Sequence, residues 1–427
     1  MNDRLFSQSS GMSYKFIKTD RFKTTVISLG FYLKTDKSAA ANSLALSLMR
    51  SGTKELPDPY PFQRKLASLY GANASSWTAK QGDISEYRIN INVNADRYSL
   101  CGEQTVNEAG KLFCDMIFGR FLADSDYPDD AFEREKRLLI ERIEGKMNDK
   151  RIYARSRCEQ EMCKNEPFGM SPDGTADEAA VLTQSDVKAA LKRLIKTSFV
   201  SVIIIGETEP DGFESELERL FAAAGRDYSP IPDNIISESQ KEITFTDEKM
   251  PVEQGKLVIG LRSTLCGGDC ETAAFRVMAD IFGGGPYSKL FCNVREKMSL
   301  CYYCSARPVF KKGIIFVESG VEKKNMDAAF KAISEQFEDL KKGLFTEKEL
   351  NFSKLALCDA MRSAGSDQQA LLSWYCNRAV LPEVLPPDKV CEEIEKVTAA
   401  DVAAAAARFG IDTVYRLIPS AESEGEI

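Results

Sequence analysis

Apolar positions along this chain fall into two rhythms. The run TTVISLGFYL (Thr24–Leu33) is β-branched and apolar, and YRININV (Tyr87–Val93) alternates strictly; both read as strands, as does Ser198–Ile205. Between them the period lengthens. Ser38–Arg50, rich in Ala, Leu and Met, reads as a helix closed by Ser51-Gly52-Thr53, and Pro61–Tyr70 as a second helix with proline near its first turn. Two longer helices are predicted near Glu103–Phe118 and Asp129–Lys146, and a shorter one over Val187–Ile195.

The same order then recurs. GKLVIGLR (Gly255–Arg262) corresponds to Thr24–Phe31, Thr272–Phe282 to the Ala-rich helix, and IIFVESGV (Ile314–Val321) to Tyr87–Val93. Asn325–Lys341 and Thr346–Arg362 correspond to the two long helices. Each half closes on the same motif, LTQSDVKAALKRLIKTSFVSVIIIG (Leu182–Gly206) and VTAADVAAAAARFGIDTVYRLIP (Val397–Pro419). Asp186 and Asp401 align at a shift of 215 residues, Gly30 and Gly260 at a shift of 230. A period this long marks a duplicated domain, not a solenoid. The expected organisation is an N-terminal domain over 1–227, a linker at Tyr228–Lys249, a C-terminal domain over 250–420 and a disordered acidic tail, Ala421–Ile427. Several strands and helices with few βαβ alternations predict an α+β fold, each domain a mostly antiparallel sheet with helices packed on one face.

Composition narrows the function. A net charge of −8 and a pI near 5.2 disfavour nucleic acid and anionic membranes as partners. The first residues show no apolar signal-peptide core, and no apolar stretch approaches the about 20 residues of a membrane span, so a cytoplasmic protein is expected. The twelve cysteines then read as reduced, mostly buried thiols. Histidine is absent altogether. That removes the commonest general base and zinc ligand, so any chemistry rests on carboxylates, Lys, Tyr or Cys, or on another chain.

The most specific string is IFGGGPYSKLFCNVREKMSLCYYCSA (Ile281–Ala306). It resembles the second domain of insulinase-family (M16) zinc metallopeptidases, which include the mitochondrial processing peptidases, and the duplication suits that family. The resemblance implies the metallohydrolase fold shared by LuxS and the processing peptidases. Active members carry an inverted HxxEH motif, in which two His one helical turn apart grip zinc and the Glu takes the proton of its bound water. The matching helix here is NSLALSLMRSGT (Asn42–Thr53), with Gly52-Thr53 setting the register. The two His positions fall on Ser43 and Ser47 and the Glu position on Leu46. The third ligand, carried by the helix resembling Pro128–Lys146, falls on or beside Arg142, which cannot bind zinc. No metal is therefore expected in this chain, and no catalytic residue.

The substrate side of the resemblance is kept. The family's second domain contributes an Arg and a Tyr seven residues apart near the scissile carbonyl, and Arg295 and Tyr302 have that spacing. A guanidinium can hold a carbonyl or carboxylate and a phenol can donate to an oxyanion; the alternative is a structural Arg paired with Glu296 or another acid and a Tyr in the sheet. The overall likeness is to the family's bacterial YmfF-type inactive chains, which pair with a zinc-bearing homologue. That implies a non-catalytic subunit binding a peptide or small protein, its HxxEH-bearing partner chain supplying zinc and base. The alternatives are a peptide-binding or scaffold protein without proteolytic role, with an implied link to elongation factor P modification or peptide maturation, and an enzyme acting through Cys or carboxylates.

Three further motifs read as structure. Gly283-Gly284-Gly285-Pro286 lacks P-loop and dinucleotide-fingerprint spacing and reads as a turn after a helix, a peptide-contacting loop being the alternative. Cys301-Tyr302-Tyr303-Cys304 reads as extended strand, whose alternation would point its thiols to opposite faces; this argues against a zinc site with Cys266 and Cys270 and against redox work. Glu133, Glu135, Glu141 and Glu144, interleaved with Arg134, Lys136, Arg137 and Arg142, read as a solvated charged helix face.

Overall fold

The computed structural model describes residues 11–237, 242–263, 272–381 and 384–420. The tail Ala421–Ile427 and the cysteines Cys266 and Cys270 lie outside the described residues.

In the first half the elements run β1 (Met12–Lys18), β2 (Thr24–Lys34), α1 (Ala39–Ser51), α2 (Pro59–Ser68), β3 (Asn73–Gln81), β4 (Ile84–Asn94), α3 (Thr105–Leu122), α4 (Asp129–Gly145), α5 (Lys150–Met162), α6 (Ala176–Ala180), α7 (Gln184–Thr197), β5 (Phe199–Gly206) and α8 (Phe213–Ala223). The second half runs β6 (Thr244–Met250), β7 (Gly255–Ser263), α9 (Ala273–Gly283), a π-helical segment (Leu290–Lys297), β8 (Tyr303–Val309), β9 (Ile314–Val321), α10 (Met326–Lys341), α11 (Glu347–Ala364), α12 (Gln368–Cys376), α13 (Pro387–Lys396), α14 (Ala399–Ala407) and β10 (Phe409–Pro419).

Two five-stranded sheets result, ordered β1-β5-β2-β4-β3 and β6-β10-β7-β9-β8. The orders are the same once each half is counted from its own first strand. In both, the first strand pairs in parallel with the last, and the other pairs are antiparallel. The α+β class and the mostly antiparallel sheets follow the expectation. The duplication reaches to single hydrogen bonds: Thr183 and Asp186 form a capping box opening α7, and Thr398 and Asp401 form another opening α14.

The chain divides into two compact units, each built from three separate segments. One holds Met1–Glu144, Met170–Pro232 and Ser366–Val384; the other holds Gly145–Gly169, Asp233–Gly365 and Leu385–Ile427. Helix α12 thus joins the sheet of the first unit, and α5 the sheet of the second. The segment read as a linker ends in a strand, β6, whose sequence TFTDEKM exposes alternate residues as an edge strand does.

Strand alternation explains what those two helices do. In the first unit, Ile27, Leu29 and Phe31 of β2 face the main core with α1, α3 and α7. The intervening Ser28, Gly30 and Tyr32 face the other way, where the Tyr32 hydroxyl donates to the Cys376 carbonyl of α12 at 3.0 Å. In the second unit, Val258, Phe316 and Tyr415 meet Ala154, Cys158 and Met162 of α5. Most helices of each unit lie on one sheet face, and a single helix covers the other. Gly30 and Gly260 mark the same place in the two sheets: a Cβ on Gly30 would lie 2.3 Å from the buried Arg88 guanidinium, and one on Gly260 would lie 2.4 Å from Met162 Sδ.

Candidate functional site

The helix predicted to have lost its zinc ligands is α1, buried along almost its whole length. Leu46 is part of the first unit's apolar core, and Ser47 is buried beside it. Ser43 is fully buried, and Arg142 of α4 reaches it: Arg142 Nη2 donates to Ser43 Oγ at 2.8 Å. Both groups converge on Asp173. Its Oδ1 accepts from Ser43 Oγ at 2.9 Å, from Thr78 Oγ1 of β3 at 2.7 Å and from Arg142 Nη2 at 3.1 Å. The Asp173 side chain is 5 % exposed, that of Arg142 43 %.

Asp173 was not foreseen, although its setting is legible. Pro172-Asp173-Gly174 is a turn tripeptide. Gly174 sits at φ +70, and a Cβ there would lie 2.7 Å from Ala40 Cβ, so the turn is pressed against the start of α1. That contact delivers a carboxylate to Ser43. Nearby, burial pushes the Tyr87 phenol up to about 12, against hydrogen bonds with Asn42 and Ser85, so it stays neutral.

These residues do not fit a zinc ion. The expected ligand and base positions hold two serine hydroxyls, a leucine with no donor atom and a guanidinium with a permanent positive charge, and Asp173 adds a single carboxylate. Among the described residues no group of three or more His, Cys, Asp or Glu is placed to hold a metal. The charged face of α4 also differs in one place from its reading: Glu135 is buried, held by Arg50 at 3.2 Å and Arg134 at 3.4 Å, whereas Glu133, Glu141 and Glu144 are exposed.

Arg295 and Tyr302 lie together in the second unit, on a cleft of about 390 Å³ that also touches Glu296, Ser299, Cys301 and Glu322. Arg295 belongs to the π-helical segment, anchored by buried Leu290 and Val294. Wide turns of this kind are rare and often occur at functional positions. The Arg295 guanidinium lies over the Phe291 ring, 4.4 Å from its centroid, with Glu296 Oε1 3.6 Å away. Glu296 is 58 % exposed, so this ion pair is screened and weak, and Arg295, at 38 %, keeps donors for a ligand. Tyr302 is 67 % exposed, and its backbone N–H donates to the Gly320 carbonyl at 3.0 Å. Its phenol therefore stands at the cleft and is not packed in the sheet.

The run before this segment behaves as a turn. Helix α9 ends at Gly283, where a Cβ would lie 2.4 Å from the Ala306 backbone nitrogen of β8, so the helix end abuts the strand. One reading is corrected. Strand β8 begins at Tyr303, so Cys301 precedes it, and the alternation that would separate the two thiols does not apply.

Comparison with known proteins agrees with the fold. Residues 182–357 match the family model described as the peptidase M16 inactive domain. The chain is 28 % identical over 418 residues, covering 97 % of both chains, to the probable inactive metalloprotease YmfF of Bacillus subtilis (strain 168). A conserved protein from Enterococcus faecalis V583 superposes with a TM-score of 0.86 at 25 % identity, covering 98 % of each chain. A peptidase M16 inactive domain from Pseudomonas fluorescens does so with a TM-score of 0.77 at 16 % identity, over 98 % of this chain and 99 % of the other. The chain is thus similar to M16 peptidase relatives described as inactive, and it has no HxxEH motif, since it has no histidine.

Proposed function

We propose that this chain is the non-catalytic subunit of a two-chain M16 peptidase, binding peptide through the Arg295–Tyr302 cleft while a homologous HxxEH-bearing chain supplies zinc and the general base. One observation carries the reading: the position of the lost ligands is filled by an Arg142–Asp173–Ser43 network, while Arg295 and Tyr302 remain exposed on one cleft. The likeness to a relative described as probably inactive supports the absence of turnover by this chain alone. Arg295 would hold a backbone carbonyl or a carboxylate of the peptide through two N–H donors. Tyr302 would donate to the oxygen on which charge develops as the peptide bond is attacked.

The test is co-purification followed by peptide cleavage. The reading expects a second chain bearing HxxEH to come down with this one, and all chelator-sensitive cleavage to need both. Arg295→Ala should lower kcat/KM by roughly tenfold or more and Tyr302→Phe by roughly tenfold, each with assembly intact. Unchanged cleavage in both variants sinks the substrate role. Repeated isolation without any such partner favours a peptide-binding or scaffold protein. Elemental analysis of the purified chain is expected to show no stoichiometric zinc.

A further inference from the structure

Asn293 ties the π-helical segment to its neighbours twice. Its backbone carbonyl accepts from the Met298 N–H at 3.0 Å, five residues on, and so closes the wide turn that carries Arg295. Just before it the bonding is still α-helical, with the Cys292 N–H on the Ser288 carbonyl at 2.9 Å. The wide turn takes in one residue more than an α-turn, which swings every later side chain back around the axis. The side chain of Asn293 makes the second tie: its Nδ2 donates to Oε1 of Gln336 on α10. Gln336 is 8 % exposed, and an amide so buried is costly to leave unpaired, so this end of the bond is fixed. The outcome shows at Arg295. Phe291 and Arg295 come to lie on one side of the segment, the guanidinium over the ring at 4.4 Å, while Leu290 and Val294 are buried. Beyond the turn, Ser299 takes a φ of +53, the Leu300 N–H reaches back to the Val294 carbonyl at 3.2 Å, and the Tyr302 N–H is held by Gly320 of β9. The stretch from Arg295 to Tyr302 is thus pinned at both ends, by α10 and by β9.

We propose that Asn293 and Gln336 are positioning residues for Arg295: their bond locks the wide turn in register and so sets the guanidinium on the cleft beside Tyr302. Without the bond the turn can relax to α spacing, the Asn293 carbonyl passing from the Met298 N–H to that of Lys297. Arg295 is then carried around the axis, away from Phe291. The consequence for cleavage rests on the substrate role proposed above for Arg295. The placement of Arg295 does not, and it is measurable on this chain alone.

Nuclear magnetic resonance on the full chain with labelled arginine tests this without any peptide. The Arg295 side-chain signal, identified by its loss in Arg295→Lys, should lie upfield because of the Phe291 ring, and Phe291→Leu gives its unstacked position. Asn293→Leu and Gln336→Met remove the bond at nearly constant volume, and each should move the signal at least halfway to that position. Exchanging the pair, Asn293→Gln with Gln336→Asn, keeps its total length and should restore the shift, which a loss of packing alone would not allow. In the reconstituted two-chain enzyme, Asn293→Leu should lower kcat/KM roughly tenfold, as Arg295→Ala does, and should add nothing to Arg295→Ala. A signal that stays stacked in Asn293→Leu and Gln336→Met overturns the proposal, and so does a shift that the exchanged pair fails to restore. A signal that moves and is restored, in an enzyme whose cleavage is indifferent to Arg295→Ala, upholds the positioning and removes instead the substrate role of Arg295.

Discussion

Asp173 is a buried carboxylate that accepts from two hydroxyls and one guanidinium, and it holds α1, β3 and α4 to one point. Its loss strands Ser43, which is fully buried, whereas Arg142, nearly half exposed, can turn to water. We expect Asp173→Ala to cost about 2–3 kcal/mol in urea denaturation and Arg142→Met less than about 1 kcal/mol; the reverse order would mean that the guanidinium, not the carboxylate, organises the site. A second buried carboxylate yields a pH prediction. Burial alone would raise Glu166, but Lys312 at 2.6 Å and Arg262 at 2.8 Å hold it below the usual carboxylate range. A depressed carboxylate contributes stability that is fully present above its unfolded value and is lost as pH falls through its folded value. Glu166→Gln should therefore cost about 2–4 kcal/mol at pH 7, and the gap to wild type should narrow as pH falls below the usual carboxylate range and through the depressed folded value of Glu166. A gap independent of pH would place the effect in packing. Of these residues the sequence exposed Ser43 and Arg142 through a motif's register. Asp173 and Glu166 lie far from their partners along the chain, and nothing in the local pattern connects them.

The elements show where a one-dimensional pattern is informative and where it fails. Five of the six central strands, β2, β4, β5, β7 and β9, are almost wholly buried and show an apolar, β-branched run or, in β4, an alternation, and all five were legible. The edge strands β3 and β6, NASSWTAKQ and TFTDEKM, are polar, as exposed edges must be to avoid further pairing, and so resemble loops. Helix α5 was missed for a related reason: its buried stripe is only Ala154, Cys158 and Met162, set among arginines. Cys301–Cys304 was misread because the strand starts two residues later than its composition indicates. Element contacts also separate two glycines that a repeat alignment treats as ordinary sheet and helix positions. At Gly260 the obstacle to a Cβ is the thioether of Met162, which can shift; at Gly283 it is the backbone of Ala306, which cannot. In thermal and urea melts, Gly283→Ala should cost about 2–3 kcal/mol and Gly260→Ala about 1 kcal/mol or less. Equal losses would show that the close approach of α9 to β8 is not the constraint on Gly283.

At the scale of the whole chain, the duplication hides an exchange. Each half carries one helix that belongs to the other half's unit, so neither half holds all the segments of one unit. No helix among the described residues is long and apolar enough to cross a membrane. What α12 brings to the first unit is substantial: Leu371, Leu372, Trp374 and Tyr375 are buried, and Gln368 Nε2 donates to the Thr24 and Ile205 carbonyls at 2.8 and 3.0 Å. At about 1.5–3 kcal/mol for each large apolar side chain, that burial amounts to roughly 6–12 kcal/mol, comparable with the whole stability of a domain. The second unit depends on α5 in the same way, through Met162, Cys158 and Ala154 against Val258 and Phe316, and through Arg151 and Arg155 on Glu318 at 2.8 and 3.1 Å. Expressed separately, fragments 1–232 and 233–427 should therefore give no cooperative thermal transition and should be cut rapidly by protease. Co-expressed, they should associate and recover a cooperative melt, because together they hold every segment of both units. A separate fragment melting as sharply as the intact chain would show that its sheet is stable without the exchanged helix.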